Sequence, residues 1–339
     1  MTDAQLPVLA DLEPAATRPA PSVRIASWRD GTLTEQEDHE GVVPQLKASD
    51  GFTWVDLTEP APELVERIAR EIGLHALVAE DIIERNERAK VEPVGDYVHL
   101  VMFALTRDGE TRTHEVDFVL GKRFLLSVHP AAWDPRSAHQ LKLGLDAVLQ
   151  RGPDFLLWAL VDAVVDGYFP IFDAFGDEID ELQDSVVDSA DRATVQQLFA
   201  VKRELIRIRH VIGPSREIFA QLTGREFEVI GDSTVFYFRD VYDHLIRLTD
   251  EFEAYREQVT SALELYLSTV NNNLSVIMKR LTGVTVVLAG LGAVAGIFGM
   301  SEAASAVTGG EGWGFYFVTL ASVALAALGI WLLRRIGWL

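Results

Sequence analysis

Two apolar runs near the C-terminal end dominate the hydropathy pattern of the chain. The first extends from about Leu281 to Phe298 and the second from about Trp313 to Leu333, and neither contains a charged residue. Each approaches the ~20 residues that a helix needs to cross a bilayer. The second run has aromatic residues at both ends, which is typical of the membrane interface. The pattern predicts a hairpin of two transmembrane helices, with a buried core helix as the alternative for the shorter, glycine-rich first run.

The charges that flank these runs predict their orientation. A Lys-Arg pair precedes the first run and an Arg-Arg pair follows the second, whereas the loop between them has no basic residue and carries Glu302 and Glu311. Basic residues remain on the cytoplasmic side of a membrane. We therefore expect an integral protein of the plasma or bacterial inner membrane, with both termini in the cytoplasm.

A long helical pattern precedes the first apolar run. From Ser233 to Phe298 there is no proline, and the first glycine is Gly283. One helix of that length would reach on the order of 100 Å. Apolar residues recur with a 3.5-residue period, which predicts a stalk that packs on other helices. Packing within the same chain's folded domain is the alternative. The stripe comprises Phe238, Val241, Leu245, Leu248, Phe252, Tyr255, Val259, Ala262 and Tyr266.

The region before the stalk mixes strand and helix patterns. Strand-like runs cover 52–57, 97–105, 116–120 and 124–128, a helical pattern covers 62–72, and the pattern is helical from Phe155 onward. We predict an α+β cytoplasmic domain, a long stalk helix and two C-terminal transmembrane helices. The expected divisions are a flexible tail over 1–22, the cytoplasmic domain over 23–232, the stalk over 233–280 and the membrane hairpin over 281–339.

Composition excludes several classes of function. The chain has 51 acidic and 30 basic residues, a net charge of −21, which argues against a nucleic-acid partner. The absence of cysteine excludes disulfides and thiolate metal sites. We find no His-Glu-x-x-His, P-loop or dinucleotide-binding motif, and therefore expect no enzymatic activity. We interpret His129 and His244 as structural residues.

An acidic stripe marks the helical segment between Asp166 and Asp191, which has no Lys or Arg. The stripe predicts either a solvated helix face or a surface that concentrates cations. Its members are Asp173, Asp177, Asp180, Asp184, Asp188 and Asp191.

Small and polar residues recur along one face of the first apolar run. Two spans cannot enclose a pore, so a channel would need several copies around an axis. Such a face could line a narrow path, or it could let neighbouring helices pack closely, and spacing alone leaves both open. The face carries Ser275, Met278, Thr282, Thr285, Ala289, Gly292, Gly296 and Gly299.

The segment around this run resembles a known family. Residues 271–302 read NNNLSVIMKRLTGVTVVLAGLGAVAGIFGMSE, which is similar to the VMKxLT and AGIYGMN motifs of the CorA family of divalent-cation channels. Further similar stretches are WVDL at 54–57, EDIIERNERAKVE at 80–92, GKRFLLSV at 121–128 and YFRDVYDH at 237–244. The resemblance implies a pentameric funnel with cytoplasmic termini, in which the stalk continues into a pore-lining first span.

The resemblance also implies roles for individual residues. Met278 and Leu281 match the apolar constriction of the pore. Gly299 and Met300 match the start of the Gly-Met-Asn filter signature, but Ser301 stands in place of its Asn. Serine is shorter than asparagine and offers no amide group to the water shell of an ion.

Other positions suggest regulation and a changed pore lining. Asp81 and Asp240 match acidic positions that share a regulatory metal between neighbouring subunits. Ser275 and Gly292 stand where the family commonly has pore-lining Asn and Thr, and Gly290 stands near the usual proline. The predicted pore lining therefore comprises Ser275, Thr285, Gly292 and Gly296.

These observations lead to two hypotheses of different class. The first is a homopentameric channel or transporter for divalent cations. Mg²⁺ would be both the transported and the regulatory ion, with Co²⁺, Ni²⁺ or Zn²⁺ as further candidates. A zinc transporter of the same family is a variant of this first hypothesis. The second is a non-conducting, membrane-anchored metal sensor or scaffold. Glu302 and Glu311 would attract cations to the outer mouth, which favours transport.

Overall fold

The computed structural model describes residues 21–37, 42–47, 50–85, 88–188, 191–299 and 313–338. The chain forms two compact units. The first unit comprises Met1–Asp180 with Phe199–Val259, and the second comprises Glu181–Leu198 with Thr260–Leu339.

A seven-stranded mixed sheet is the centre of the first unit. The strands follow the order β2-β1-β3-β7-β6-β5-β4, and only the neighbours β3 and β7 are parallel. The four strand-like runs predicted from sequence are confirmed, whereas β1, β2 and β4 were missed. The strands are β1 (Ser22–Arg29), β2 (Thr32–Gln36), β3 (Phe52–Thr58), β4 (Lys90–Val94), β5 (Tyr97–Asp108), β6 (Glu110–Gly121) and β7 (Phe124–His129).

Three helices cover one face of this sheet. They are α1 (Val42–Leu46), α2 (Pro62–Ile72) and α3 (Ala76–Glu84). Their apolar side chains form a shared core with inward-facing strand residues such as Val55 and Leu126. The helix predicted over 62–72 is confirmed. Because α1 to α3 lie between strands along the chain, helices and strands are less segregated than the predicted α+β organisation implied.

The other face of the sheet packs against α6 (Pro153–Asp166). The short α4 (His139–Leu143) and α5 (Leu145–Leu149) lie beside α6. By length and composition alone, the stretch Pro153–Val187 could cross a membrane, but 72% of its most apolar window is buried. It is therefore a core element of the fold. In the long helix that contains the first predicted span, only 6% of the corresponding window is buried.

Four long helices complete the chain. They are α7 (Phe169–Asp188), α8 (Arg192–Gly224), α9 (Asp232–Gly299) and α10 (Trp313–Arg335). Within the first unit, α9 buries the predicted apolar stripe from Phe238 to Val259, with Tyr255 half-buried. This part of the stripe therefore packs inside its own chain, which was the alternative to packing on other subunits.

All members of the acidic stripe except Asp191 lie on α7, and those whose side chains are described there face solvent, whereas Asp191 lies directly before α8 and accepts a hydrogen bond from the Thr194 N–H at 2.8 Å. Asp173, Asp177, Asp180 and Asp184 are exposed, whereas Phe172 on the opposite side is fully buried. This exposure favours the solvated-face interpretation, and a role in concentrating cations stays a prediction.

A buried polar network joins β3 to β7. The Asp56 carboxylate accepts a hydrogen bond from the Ser127 hydroxyl at 2.6 Å and lies 3.1 Å from His129 Nε2. His129 Nδ1 lies 2.9 Å from the carbonyl oxygen of Pro130. Burial lowers the pKa of His129, but the hydrogen bond and charge of Asp56, with the Pro130 carbonyl, outweigh it and raise that pKa above its ordinary value.

Candidate functional site

The predicted pore-lining residues lie on one exposed face of α9. Successive residues of an α-helix turn by about 100°, so Met278, Thr285 and Gly296 point within about 20° of one another. Ser275, Leu281 and Gly292 lie within about 60° of that direction. Every one of these six residues is exposed.

The constriction candidates are the largest side chains on this face. Met278 and Leu281 are each 58% exposed. The Thr285 hydroxyl donates to the carbonyl oxygen of Leu281 at 2.8 Å, so its hydrogen is used inside the helix while its oxygen can still accept. An apolar pair followed by small and hydroxyl-bearing residues is an arrangement that a narrow water-filled path could use.

The opposite side of α9 packs against α10. A Cβ atom built on Gly283 would lie 3.4 Å from Leu333, and one built on Gly329 would lie 3.4 Å from Val287. Gly283 and Val287 point about 140–180° away from Met278. The contact with α10 therefore lies at Gly283 and not at Gly292 or Gly296, since a Cβ atom built on either of the latter two would have nothing within 4 Å. Within the described chain, the predicted pore face is therefore unpartnered.

The filter signature begins where the described helix ends. Gly299 is the last residue of α9. Met300, Ser301, Glu302 and Glu311 lie outside the described residues, so their roles stay predictions.

The two predicted regulatory carboxylates have different surroundings. Asp81 on α3 forms an ion pair with Lys90 at 2.7 Å and is 18% exposed. Asp240 lies on the exposed surface of α9. Among the described residues, no group of metal-ligating side chains joins these two aspartates within one chain.

A different group of metal-ligating side chains surrounds the predicted Asp240 position. Asp162, Asp166 and His244 each offer one ligand atom, and these atoms all lie within 4.8 Å of one another. Asp162 and Asp166 are one turn apart on α6, as Asp240 and His244 are on α9. Two packed helices therefore each supply a pair with i,i+4 spacing. We call Asp162, Asp166 and His244 the acidic cluster.

Burial and like charge make the acidic cluster electrostatically costly. Burial first, and then the charge of Asp166, raises the pKa of Asp162 to about 6, although Gln140 donates a hydrogen bond to its carboxylate at 2.7 Å. Burial also raises the pKa of Asp166, and the nearby charge of Asp240 adds to the shift at both aspartates. A cation among these carboxylates would reduce this repulsion.

One buried nitrogen in the acidic cluster has no hydrogen-bond partner. His244 Nδ1 is inaccessible to solvent and lies 4.0 Å from Asp166 Oδ1, too far for a hydrogen bond. The ring of His244 packs edge-on against Phe169, with centroids 5.6 Å apart. A nitrogen ligand beside carboxylates suits Co²⁺, Ni²⁺ or Zn²⁺, whereas Mg²⁺ prefers oxygen ligands and retained water. The residues present therefore fit a divalent cation.

The sequence interpretation missed Asp162 and Asp166 and took His244 for a structural side chain. The i,i+4 spacings Asp162/Asp166 and Asp240/His244 could have pointed to them. However, nothing in the sequence shows that α6 and α9 bring the two pairs together.

A folded unit followed by a long apolar helix with an exposed face of small residues is consistent with a membrane transporter of small ions. Comparison with known proteins gives the family. The family model described as CorA-like Mg2+ transporter protein matches residues 49–335. The chain belongs to this family, whose members are transporters.

Two relatives show the range of names in the family. The cobalt/magnesium transport protein CorA of Thermotoga maritima is 34% identical over 271 residues, which are 78% of this chain and 77% of the relative. The zinc transport protein ZntB of Cronobacter sakazakii is 23% identical and covers 89% of this chain and 94% of its own length.

Solved structures share the fold at lower identity. The complete structure of the CorA magnesium transporter of Methanocaldococcus jannaschii has a TM-score of 0.79 and 22% identity, and covers 94% of this chain and 98% of that chain. The full-length CmaX protein has a TM-score of 0.67 and 16% identity, and covers 94% of this chain and 97% of that chain.

Proposed function

We propose that this chain is one subunit of a homopentameric channel that carries divalent cations, Mg²⁺ and Co²⁺ foremost, across the plasma or bacterial inner membrane. The observation that carries the proposal is the exposed face of α9 that bears Met278 and Thr285, opposite the side that packs on α10. The name of the Thermotoga maritima relative supports Mg²⁺ and Co²⁺ as the ions.

The same exposed face of α9 would line a pore only in an oligomer. Two membrane helices from one chain cannot enclose a path for an ion. Several copies arranged around an axis could each direct this face of α9 inward, while α10 forms an outer ring. Rings of Met278 and Leu281 would then make an apolar constriction, which resists wetting when closed.

The outer mouth would be formed by Gly299, Met300 and Ser301, followed by the acidic loop that contains Glu302 and Glu311. A serine ring reaches less far toward a hydrated ion than an asparagine ring. The loop acids attract any cation with little discrimination. Together they predict lower affinity and broader selectivity than the Gly-Met-Asn signature gives.

Both termini are proposed to be cytoplasmic, because basic residues flank the membrane helices and are missing from the loop. Single cysteines at Asp3 and Glu302 test this in intact cells with a membrane-impermeant thiol reagent, since the chain has no other cysteine. We expect labelling at position 302 only. Labelling at position 3 alone would overturn the topology.

Regulation by cytoplasmic metal is proposed for the surroundings of Asp240. The acidic cluster lies beside this residue in the same chain, and Asp81 of a neighbouring subunit is the further candidate ligand. Asp81 is paired with Lys90 within its own chain, so sharing a metal would require it to exchange that partner. Bound metal would favour one arrangement of the subunits, which couples the ion level to the pore.

Ion flux into proteoliposomes tests the transport proposal. Mg²⁺, Co²⁺, Ni²⁺ and Zn²⁺ are compared side by side, with an active relative that carries the Gly-Met-Asn signature as the control. We expect uptake of Mg²⁺ and Co²⁺. No flux of any of these ions, in liposomes where the control is active, would favour the non-conducting sensor or scaffold.

Zinc transport is the second candidate. The nitrogen ligand His244 in the acidic cluster and the similarity to a zinc transport protein both favour it. Uptake of Zn²⁺ that clearly exceeds uptake of Mg²⁺ in the same liposomes would select it.

A further inference from the structure

A groove of about 1240 Å³ lies between the β5–β6 hairpin and α8 in the first unit. We call it the basic groove, because its charged lining is mostly arginine. Arg88 and Arg112 line it from the sheet side, and Arg207 and Arg209 line it from α8. The groove therefore carries a concentration of positive charge, although the net charge of the whole chain is −21.

Three of these four guanidinium groups have no acidic partner. Arg112, Arg207 and Arg209 are exposed, and no carboxylate of the described residues lies within 4.0 Å of them. Arg88 differs, because it pairs with Glu217 at 3.2 Å. Three guanidinium groups without a carboxylate partner on one groove leave a local excess of positive charge.

The basic groove also has an apolar wall. Phe103 on β5 is half-buried, and Ile206 on α8 is 51% exposed beside Arg207. Val211 and Pro214 continue this wall along α8. Pockets for organic ligands combine apolar surface with a few convergent polar groups in this way.

From this geometry we propose that the basic groove binds a small polyphosphate anion, of the nucleoside triphosphate class. Planar guanidinium groups bind phosphate oxygens through paired hydrogen bonds, and three of them without partners match several phosphate charges better than one. At about 1240 Å³ the groove is larger than an inorganic ion requires, and Phe103 and Ile206 offer a surface for a base. This inference is independent of the transport proposal, because no residue of the groove lies on the pore face or in the acidic cluster.

Calorimetric titration of the full-length protein in detergent, without divalent ions, tests the proposal. The probes are adenosine triphosphate and inorganic tripolyphosphate. The groove variant is Arg207→Gln/Arg209→Gln. The matched control is Lys202→Gln/Arg203→Gln, which removes the same charge from exposed positions on the same helix outside the groove.

We expect the wild type to bind the nucleotide, and the groove variant to bind it about 100-fold more weakly, roughly tenfold for each guanidinium group removed. The control variant should change affinity by less than about threefold, since neither of its side chains lines the groove. Equal affinity for both probes would identify the phosphate chain as the group recognised, and tighter nucleotide binding would show that the apolar wall contributes.

Three results would overturn the proposal. The first is no binding of either probe to the wild type, including the case in which a second copy of the chain covers the groove in the oligomer. The second is equal weakening by the groove and control variants, which would mean a general charge effect. The third is nucleotide binding that the groove variant leaves unchanged.

Discussion

Replacing Asp162 by asparagine tests the acidic cluster as a metal site, because its two expected effects have opposite sign. The pKa of Asp162 is raised from the ordinary 3.8 to about 6 by burial and by the charge of Asp166. A shift of one pKa unit corresponds to about 1.36 kcal/mol, so the charged carboxylate costs up to about 3 kcal/mol in the folded protein. Asparagine removes that charge and can still accept the hydrogen bond from Gln140.

Without metal, Asp162→Asn should therefore be more stable than the wild type. The raised pKa disfavours folding above about pH 6, where the carboxylate must ionise, and the effect disappears as the pH falls through the ordinary value. A measurement at about pH 8 contains the whole effect. The gain in melting temperature should be at most about 6–12 °C, at roughly 2–4 °C for each kcal/mol.

With metal, the order of stability should reverse. A ligand that binds only the folded state stabilises it by about 4.1 kcal/mol when its concentration is roughly 1,000 times its Kd, which exceeds the cost of about 3 kcal/mol worked out above. Wild-type protein should gain this stabilisation from Co²⁺, because the ion offsets the repulsion between Asp162 and Asp166. The variant lacks one ligand and should gain little.

The assay is thermal melting of the full-length protein in detergent, with a chelator or with Co²⁺. Asp243→Asn is the matched control, because Asp243 is an exposed carboxylate next to His244 that lies outside the acidic cluster. It should behave like the wild type. If Asp162→Asn keeps the Co²⁺-induced rise, or if Asp243→Asn abolishes it, the acidic cluster is not the metal site.

Three further predictions concern the pore, the filter and the sheet. Met278→Ala should raise basal ion flux several-fold. The control Val286→Ala, on a neighbouring face of α9, should leave the flux unchanged. Equal flux in the two variants would count against an apolar gate. Ser301→Asn should increase discrimination for Mg²⁺ over Co²⁺ in the liposome assay; an unchanged order of ions would remove the filter assignment. His129→Gln should destabilise the protein most below about pH 6.5, because the stabilising pair of His129 with Asp56 is lost as the pH rises through the raised pKa of His129. A destabilisation that does not depend on pH in melting experiments would contradict this pairing.

Local periodicity was enough to predict the main elements of the chain. The strands β3, β5, β6 and β7 and the helix α2 were identified from their own apolar patterns. The short strands β1, β2 and β4 were missed, because they carry many polar residues and are defined by pairing with neighbouring strands.

The sequence by itself determined the two apolar runs, the helical spacing of the predicted pore face and the Gly-Met-Ser variation, because each is contained within a short continuous stretch of the chain. Only the tertiary structure decided which face of α9 packs on α10, where Gly283 lies beside Leu333 and Gly329 beside Val287. It alone also placed Asp162 and Asp166 against His244 and gathered the arginines of the basic groove. These groups come from distant parts of the chain, and side chains so far apart in sequence meet only through the packing of whole helices and strands.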